Sequence, residues 1–209
     1  MVVNPSLRGV SETSPITLYL RATESTRPDA LIKDEKAEAL MKKISDDGLY
    51  DFGRMKSLHL SEANKLVIIL RNREFDRYAR AFLARCPNAL VVHIGCGLDT
   101  RFERVDNGQV EWYDLDLPDV IELRRKLVGG EGVRHHFLAC SVLDSAWLDT
   151  VSAHRQRPFL FLAEGVFMYF EEAQVKSLVL TLRDRFPGVE LVFDAFSPFM
   201  RWAHNFKVT

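Results

Sequence analysis

Five short apolar runs, set apart by stretches with helical spacing, constrain this chain more than any other feature of its 209 residues. They are Ala89 to Ile94, Val110 to Leu115, Val133 to Ala139, Phe159 to Ala163 and Val189 to Phe196. The run Phe159-Leu160-Phe161-Leu162-Ala163 is apolar at every position, which suits a strand covered on both faces rather than one with a wet side. Asp119 to Val128, Leu143 to His154 and Glu171 to Phe186 predict the intervening helices. Strands alternating with helices predict a parallel sheet, and right-handed crossovers then put helices on both of its faces.

Ahead of the first run the pattern is helical. Residues 1 to about 15 are rich in Ser, Pro and Gly and read as a loose arm. From Ser14 to about Asp47 the apolar residues Ala30, Leu31, Ala37, Leu40, Met41 and Ile44 recur near the helical period. Ser61 is a candidate start for a second helical region reaching Arg85, with Leu66, Ile69, Leu70, Phe75, Tyr78, Phe82 and Leu83 on its buried side. The expected organisation is a helical cap or lid over residues 1–60 on a doubly wound α/β core over 61–209, one structural domain overall.

Composition excludes more than it selects. Lys and Arg number 28 against 29 Asp and Glu, a net charge of -1, so no global basic footprint points to nucleic acid or an anionic membrane. Cys86, Cys96 and Cys140 form no CxxC pair and read as reduced thiols. No apolar run resembles a leader or a membrane span, and the expected location is the cytoplasm.

The chemistry-bearing segment follows the first run. Gly95-Cys96-Gly97-Leu98-Asp99-Thr100-Arg101 places two glycines where a strand turns toward a helix N-terminus, a geometry that lets a ligand approach bare backbone. Thr100 stands where a dinucleotide fingerprint has its third glycine, which counts against a nicotinamide cofactor. In the second run Asp114 and Asp116 fall at alternate positions, about 20 residues after the turn, where an acid can accept both ribose hydroxyls. Spacing alone does not choose between them. Glu164, after five apolar residues, is an unusual place for a carboxylate and requires a cationic partner. His93 reads as a hydrogen-bonded core residue. His135, His136 and Cys140 lack a second ligand pair for zinc, and no metal is expected. Tyr19, Trp147, Phe167, Met168 and Tyr169 are packing residues that could also line a pocket.

The segments HIGCGLDTR, YDLDLPDVIELRRKL and LFLAEGVFMYFEEAQVKSL, in that order, resemble the leucine carboxyl methyltransferase-like superfamily, and most closely its polyketide, tetracenomycin-type O-methyltransferases. The resemblance extends to RATESTRPDALIKDEKAEAL upstream and FPGVELVFDAFSP downstream. It implies a class I S-adenosylmethionine-dependent methyltransferase, with a Rossmann-like sheet and S-adenosyl-L-methionine as cofactor. It further implies that Arg71 pairs with the cofactor's methionine carboxylate, that Gly95 admits its methionyl end, that Gly97 also binds the cofactor, and that Asp116 holds the ribose. Glu164 would lie near the amino group and the transferring methyl. The protein-phosphatase branch has Asp-Leu where this chain has Ser141-Val142, two residues expected to contact the cofactor, so the adenine hydrogen bond falls to Ser141 or to Asp144.

The implied reaction is in-line transfer of methyl to a carboxylate or hydroxyl oxygen of a small molecule, possible homodimerisation included among the expectations. No catalytic acid or base is assigned. The rivals are a non-catalytic module that binds the same cofactor and a nicotinamide-dependent oxidoreductase; the latter lacks a Tyr-x-x-x-Lys pair. A sheet of this class continues past its fifth strand with a helix and two more strands, on the order of 40 residues. After Phe196 the sequence has 13 residues, from 209 − 196, so those C-terminal strands are expected to be missing and the chain to be a truncated form; were it the whole product, the fifth strand would need cover from a second chain or would promote aggregation.

Overall fold

The structure is a computed structural model describing residues 13–53 and 61–195. Most of the predicted N-terminal arm, the last residues of the predicted cap region and the stretch beyond Ala195 lie outside the described residues. In chain order the elements are α1 (Thr13–Ser25), α2 (Glu35–Asp46), α3 (Glu62–Arg85), β1 (Leu90–Ile94), α4 (Arg101–Val105), β2 (Glu111–Asp116) and α5 (Pro118–Leu127). They continue with β3 (His135–Ala139), α6 (Ala146–Ser152), β4 (Phe159–Ala163), a 3-10 turn (Phe167–Tyr169), α7 (Glu172–Arg185) and β5 (Glu190–Phe193).

All five strands pair in parallel, in the order β3-β2-β1-β4-β5. The chain steps outward from β1 to β3, then crosses to the other side of β1 for β4. The crevice between β1 and β4, beyond their carboxyl ends, is therefore the topological switch point where ligands bind in open α/β sheets. Register brings the chemistry there: Ile94 aligns with both Leu115 and Ala163, so Gly95, Asp116 and Glu164 follow at one level along the same sheet edge.

The pleat sorts the apolar runs into two layers. Leu90, Val92, Ile94 and Phe161 pack on one face with Trp147, Leu148 and Val151 of α6 and Leu178 and Leu182 of α7. Val91, Trp112, Leu160 and Leu162 face the other way, against Phe75, Ala79, Phe82 and Leu83 of α3. β1 and β4 are buried at every residue, as an all-apolar run requires. Each large apolar side chain so buried contributes about 1.5–3 kcal/mol. A third cluster joins α1, α2 and α5 through Leu18, Leu40, Ile44, Leu98, Val120 and Leu123, with Leu98 supplied by the glycine turn itself.

Four details differ from the sequence reading. The helical pattern from Ser14 to Asp47 is two helices: Pro28 lacks a backbone donor, and Asp34 restarts the chain as the N-cap of α2, accepting from Ala37 N at 2.9 Å. The third strand starts at His135, leaving Val133 exposed, and α6 starts at Ala146 because Ser141 and Asp144 close a turn first. The five-residue α4, too short to show a period, escaped the pattern altogether.

Asp34 does more than cap. Its carboxylate, 1% exposed, also accepts from Arg21 Nε at 3.2 Å, Thr100 Oγ1 at 2.7 and 2.8 Å and Arg104 Nη1 at 2.6 Å. It joins α1, α2, the glycine turn and α4. Loss of an N-cap alone costs about 1 kcal/mol, whereas removing one partner of a buried ion pair costs about 3–5 kcal/mol. Urea unfolding of Asp34→Ala should show a loss in the larger range; a loss near 1 kcal/mol would mean that Asp34 is only a cap.

Candidate functional site

The glycine turn leaves β1 with Gly95 at φ +66° and Gly97 at φ +49°, a region that side-chain-bearing residues rarely enter. Space is also short. A Cβ on Gly95 would lie 2.5 Å from Val166 Cγ2, and one on Gly97 would lie 2.9 Å from Ser14 Oγ. The loop after β4 and the start of α1 thus both close onto the turn.

Asp114 and Asp116, indistinguishable by spacing, occupy different environments. Asp114 is fully buried; it accepts from Arg124 Nη2 at 2.5 Å and Trp112 Nε1 at 2.8 Å, and meets His135 Nε2 at 2.6 Å. Burial pushes its carboxyl up, but Arg124, His135 and His93 outweigh that and hold it well below the usual aspartate range. Asp116 stands half-buried at the tip of β2, beside the turn. Its Oδ2 accepts from Gly97 N at 2.8 Å and its Oδ1 from Leu117 N at 2.8 Å. A carboxylate has about four acceptor positions, so about two stay unused. Burial raises the Asp116 carboxyl, partly offset by those two N–H donors.

At the tip of β4, Glu164 Oε1 accepts from Arg71 Nε at 2.8 Å and Asn72 Nδ2 at 2.8 Å, while Oε2 accepts from Arg101 Nη2 at 2.5 Å. The cationic partner that Glu164 requires is supplied within the protein, by the guanidinium groups of Arg71 and Arg101. Arg71, on α3, is drawn to the sheet edge and also donates Nη1 to Asp194 Oδ2 at 3.1 Å. Arg101 reaches onward to Asp76 at 2.8 Å and Asp99 at 3.2 Å. Arg104 grips Asp76 through two nitrogens, at 2.7 and 3.0 Å. His93, a core residue as expected, sits beneath this cluster. His93 Nε2 lies 3.2 Å from Arg101 Nη1.

The loop after β3 carries Ser141 and Val142. Ser141 Oγ accepts from Leu143 N at 3.2 Å, and Ser141 N donates to Asp144 Oδ2 at 3.2 Å. Val142 turns its side chain into the core and its carbonyl to Trp147 Nε1 at 3.1 Å. Trp147 is itself core, and Phe167 packs 5.3 Å from Phe193, while Met168 and Tyr169 stand exposed. His135 belongs to Asp114 and His136 to Glu111. Among the described residues no three His, Cys, Asp or Glu side chains are grouped to hold a metal.

Sequence reasoning missed Asn72, Asp76, Asp99, Arg101, Arg104, Arg124 and Asp194. Asn72 and Asp76 did carry a signal: they interrupt the buried stripe Ile69, Phe75, Ala79 of α3, where a polar residue must find partners.

Known proteins resemble the chain over most of its length. The family profile for leucine carboxyl methyltransferase matches residues 16–183. The tetracenomycin polyketide synthesis O-methyltransferase of Streptomyces glaucescens is 38% identical over 193 residues, 92% of this chain and 68% of that protein. An S-adenosyl-L-methionine-dependent methyltransferase of Gibberella zeae is 32% identical over 203 residues, 91% of this chain and 67% of that one. A solved structure assigned to a methyltransferase of Thermobifida fusca superposes with a TM-score of 0.56 at 20% identity, covering 96% of this chain and 75% of that chain, a likeness of fold alone.

Two outcomes follow from the geometry. Asp114→Asn should lower stability by about 3–5 kcal/mol in urea unfolding, because Arg124 is left buried and unpaired; stability equal to the parent's would contradict the network. The second outcome concerns pH. Asp76, Asp99 and Asp114 all lie below the ordinary value of 3.8 when folded, each because arginines overcome the effect of burial. Depressed folded values add stability that is fully present above about pH 5 and is lost as pH falls through 4 and below. The raised carboxyls of Asp116 and Glu103 oppose this in a narrower window above 4. The thermal midpoint should therefore fall steeply between pH 4 and 3, and a flat profile there would count against the ion pairs.

Proposed function

The chain belongs to the leucine carboxyl methyltransferase family of S-adenosylmethionine-dependent enzymes, and we propose that it methylates a carboxylate or hydroxyl oxygen of a small organic molecule. In this reading the cofactor is held by Arg71, Gly95, Gly97, Asp116, Ser141, Val142 and Glu164. The observation that carries it is the contrast between the two acids of β2. Asp114 is consumed by Arg124, whereas Asp116 is fixed by two backbone donors and keeps acceptor capacity at the carboxyl edge of the sheet, beside the glycine turn. That remaining acceptor capacity fits a ribose, whose two hydroxyls can donate to it. Arg71 Nη2, which has no acceptor among the described residues, fits a carboxylate.

S-adenosylmethionine would supply a methyl on a positively charged sulfur, already electrophilic. The chain's task is then to hold donor and acceptor in line and exclude water. Glu164 cannot readily serve as a base: three donors occupy its oxygens. His93 is buried with its Nε2 turned to Arg101. The absence of a free base among these groups favours an acceptor oxygen that is ionised near neutral pH, a carboxylate or an acidic phenol. The Streptomyces relative, named for tetracenomycin polyketide synthesis, makes polyketide-like acids and phenols the first acceptors to try.

Transfer of labelled methyl to a panel of aromatic acids, phenols and aliphatic alcohols is the test. Turnover should favour acids and acidic phenols and leave simple alcohols unmethylated. Cofactor binding with no transfer to any acceptor would favour a non-catalytic module, and binding of NADH instead would favour the oxidoreductase.

A further inference from the structure

Asp194, just past the end of β5, holds more than the Arg71 nitrogen already described: two groups at the β4 tip depend on it. Its Oδ1 accepts from the Gly165 backbone N–H at 2.6 Å, and its Oδ2 accepts from Arg71 Nη1 at 3.1 Å. Gly165 has φ +68°, and a Cβ there would stand 3.5 Å from Arg71 Nη2, so the guanidinium lies against bare backbone. On its other side Arg71 donates Nε to Glu164 at 2.8 Å. A planar guanidinium held at Nε by one carboxylate and at Nη1 by another has its plane and its roll fixed. The nitrogen left over is Nη2, on a side chain that stays 24% exposed.

We propose that Asp194 is a positioning residue for the cofactor's methionyl end, acting through Arg71 to keep Nη2 turned toward an incoming carboxylate. The inference rests on reading Arg71 as a cofactor contact. The physical reason is competition. Arginine and a carboxylate prefer a two-pronged pair, and Glu164 already holds Nε. With nothing on Nη1, the guanidinium can roll until Nε and Nη2 both face Glu164, and the nitrogen needed by the cofactor is spent inside the protein. Asp194 pulls against that closure. Its second bond, to Gly165, fixes the backbone next to Glu164, so both charged ends of the methionyl group would be oriented from one residue.

Asp194→Asn keeps the shape and an acceptor for Gly165 but removes the charge that holds Nη1. Titration calorimetry of the full chain with S-adenosylhomocysteine should show Kd raised roughly 3- to 10-fold. With S-adenosylmethionine, KM should rise while kcat at saturation is kept. The ligand-free thermal midpoint should stay near the parent's, and Asp194→Glu should recover part of the affinity. In an Arg71→Ala background the Asp194 substitution should add nothing further. Parent-like affinity in Asp194→Asn, or a lower midpoint with unchanged Kd, would overturn the proposal. An equal further loss in the Arg71→Ala background would also overturn it, by marking Asp194 as a direct contact. If Arg71→Ala itself binds like the parent, the reading of Arg71 falls and takes this inference with it. Weakened binding in Arg71→Ala beside normal binding in Asp194→Asn would sink the positioning role alone.

Discussion

The structure depends on keeping four arginines neutralised out of water. Arg21, Arg101, Arg104 and Arg124 are each buried, and none can shed its proton. Asp34, Asp76, Asp99, Asp114 and Glu164 answer them from α2, α3, the glycine turn, β2 and the end of β4. A buried pair adds little net stability over a well-packed apolar substitute, but a broken one costs a large share of the 5–15 kcal/mol that a domain possesses. The arrangement therefore acts less as glue than as a condition on geometry. Only a fold that brings these five elements together satisfies it.

That condition reaches the candidate site directly. Arg124 donates to the Gly97 carbonyl at 3.0 Å and Arg21 to the Leu98 carbonyl at 3.1 Å, so the glycine turn is held from below by the same cations. Gly97 N is then directed at Asp116, and Arg101 holds Glu164 at the edge of the crevice. Donors and acceptors stand in place before any ligand arrives, which limits the ordering a ligand must impose on binding.

Much of this was legible in the residues. The limits of β4 were read correctly because five consecutive apolar residues admit one reading, a doubly covered strand. The family resemblance carried Asp116, while spacing could not part it from Asp114: alternate residues of a strand share a face, and what differs is depth, which depends on β3 and α5 arriving beside them. Glu164 was recognised as needing a cation, but Arg101, which supplies one, lies 63 residues away in sequence and its pairing is a product of the fold. Asp194 was illegible for the same reason, its partners Gly165 and Arg71 being 29 and 123 residues distant. Local pattern reports local burial; it does not report which distant charge is met.

The central claim is that the crevice bounded by Gly95, Gly97, Asp116 and Glu164 holds the cofactor. The most direct measurement is a crystal structure of the chain with S-adenosylhomocysteine. Ligand density should lie over the glycine turn, with both ribose hydroxyls in hydrogen-bond range of the Asp116 carboxylate. Density elsewhere would contradict it, for example in the cleft of about 320 Å³ that Lys36, Lys43 and Lys126 line between α2 and α5.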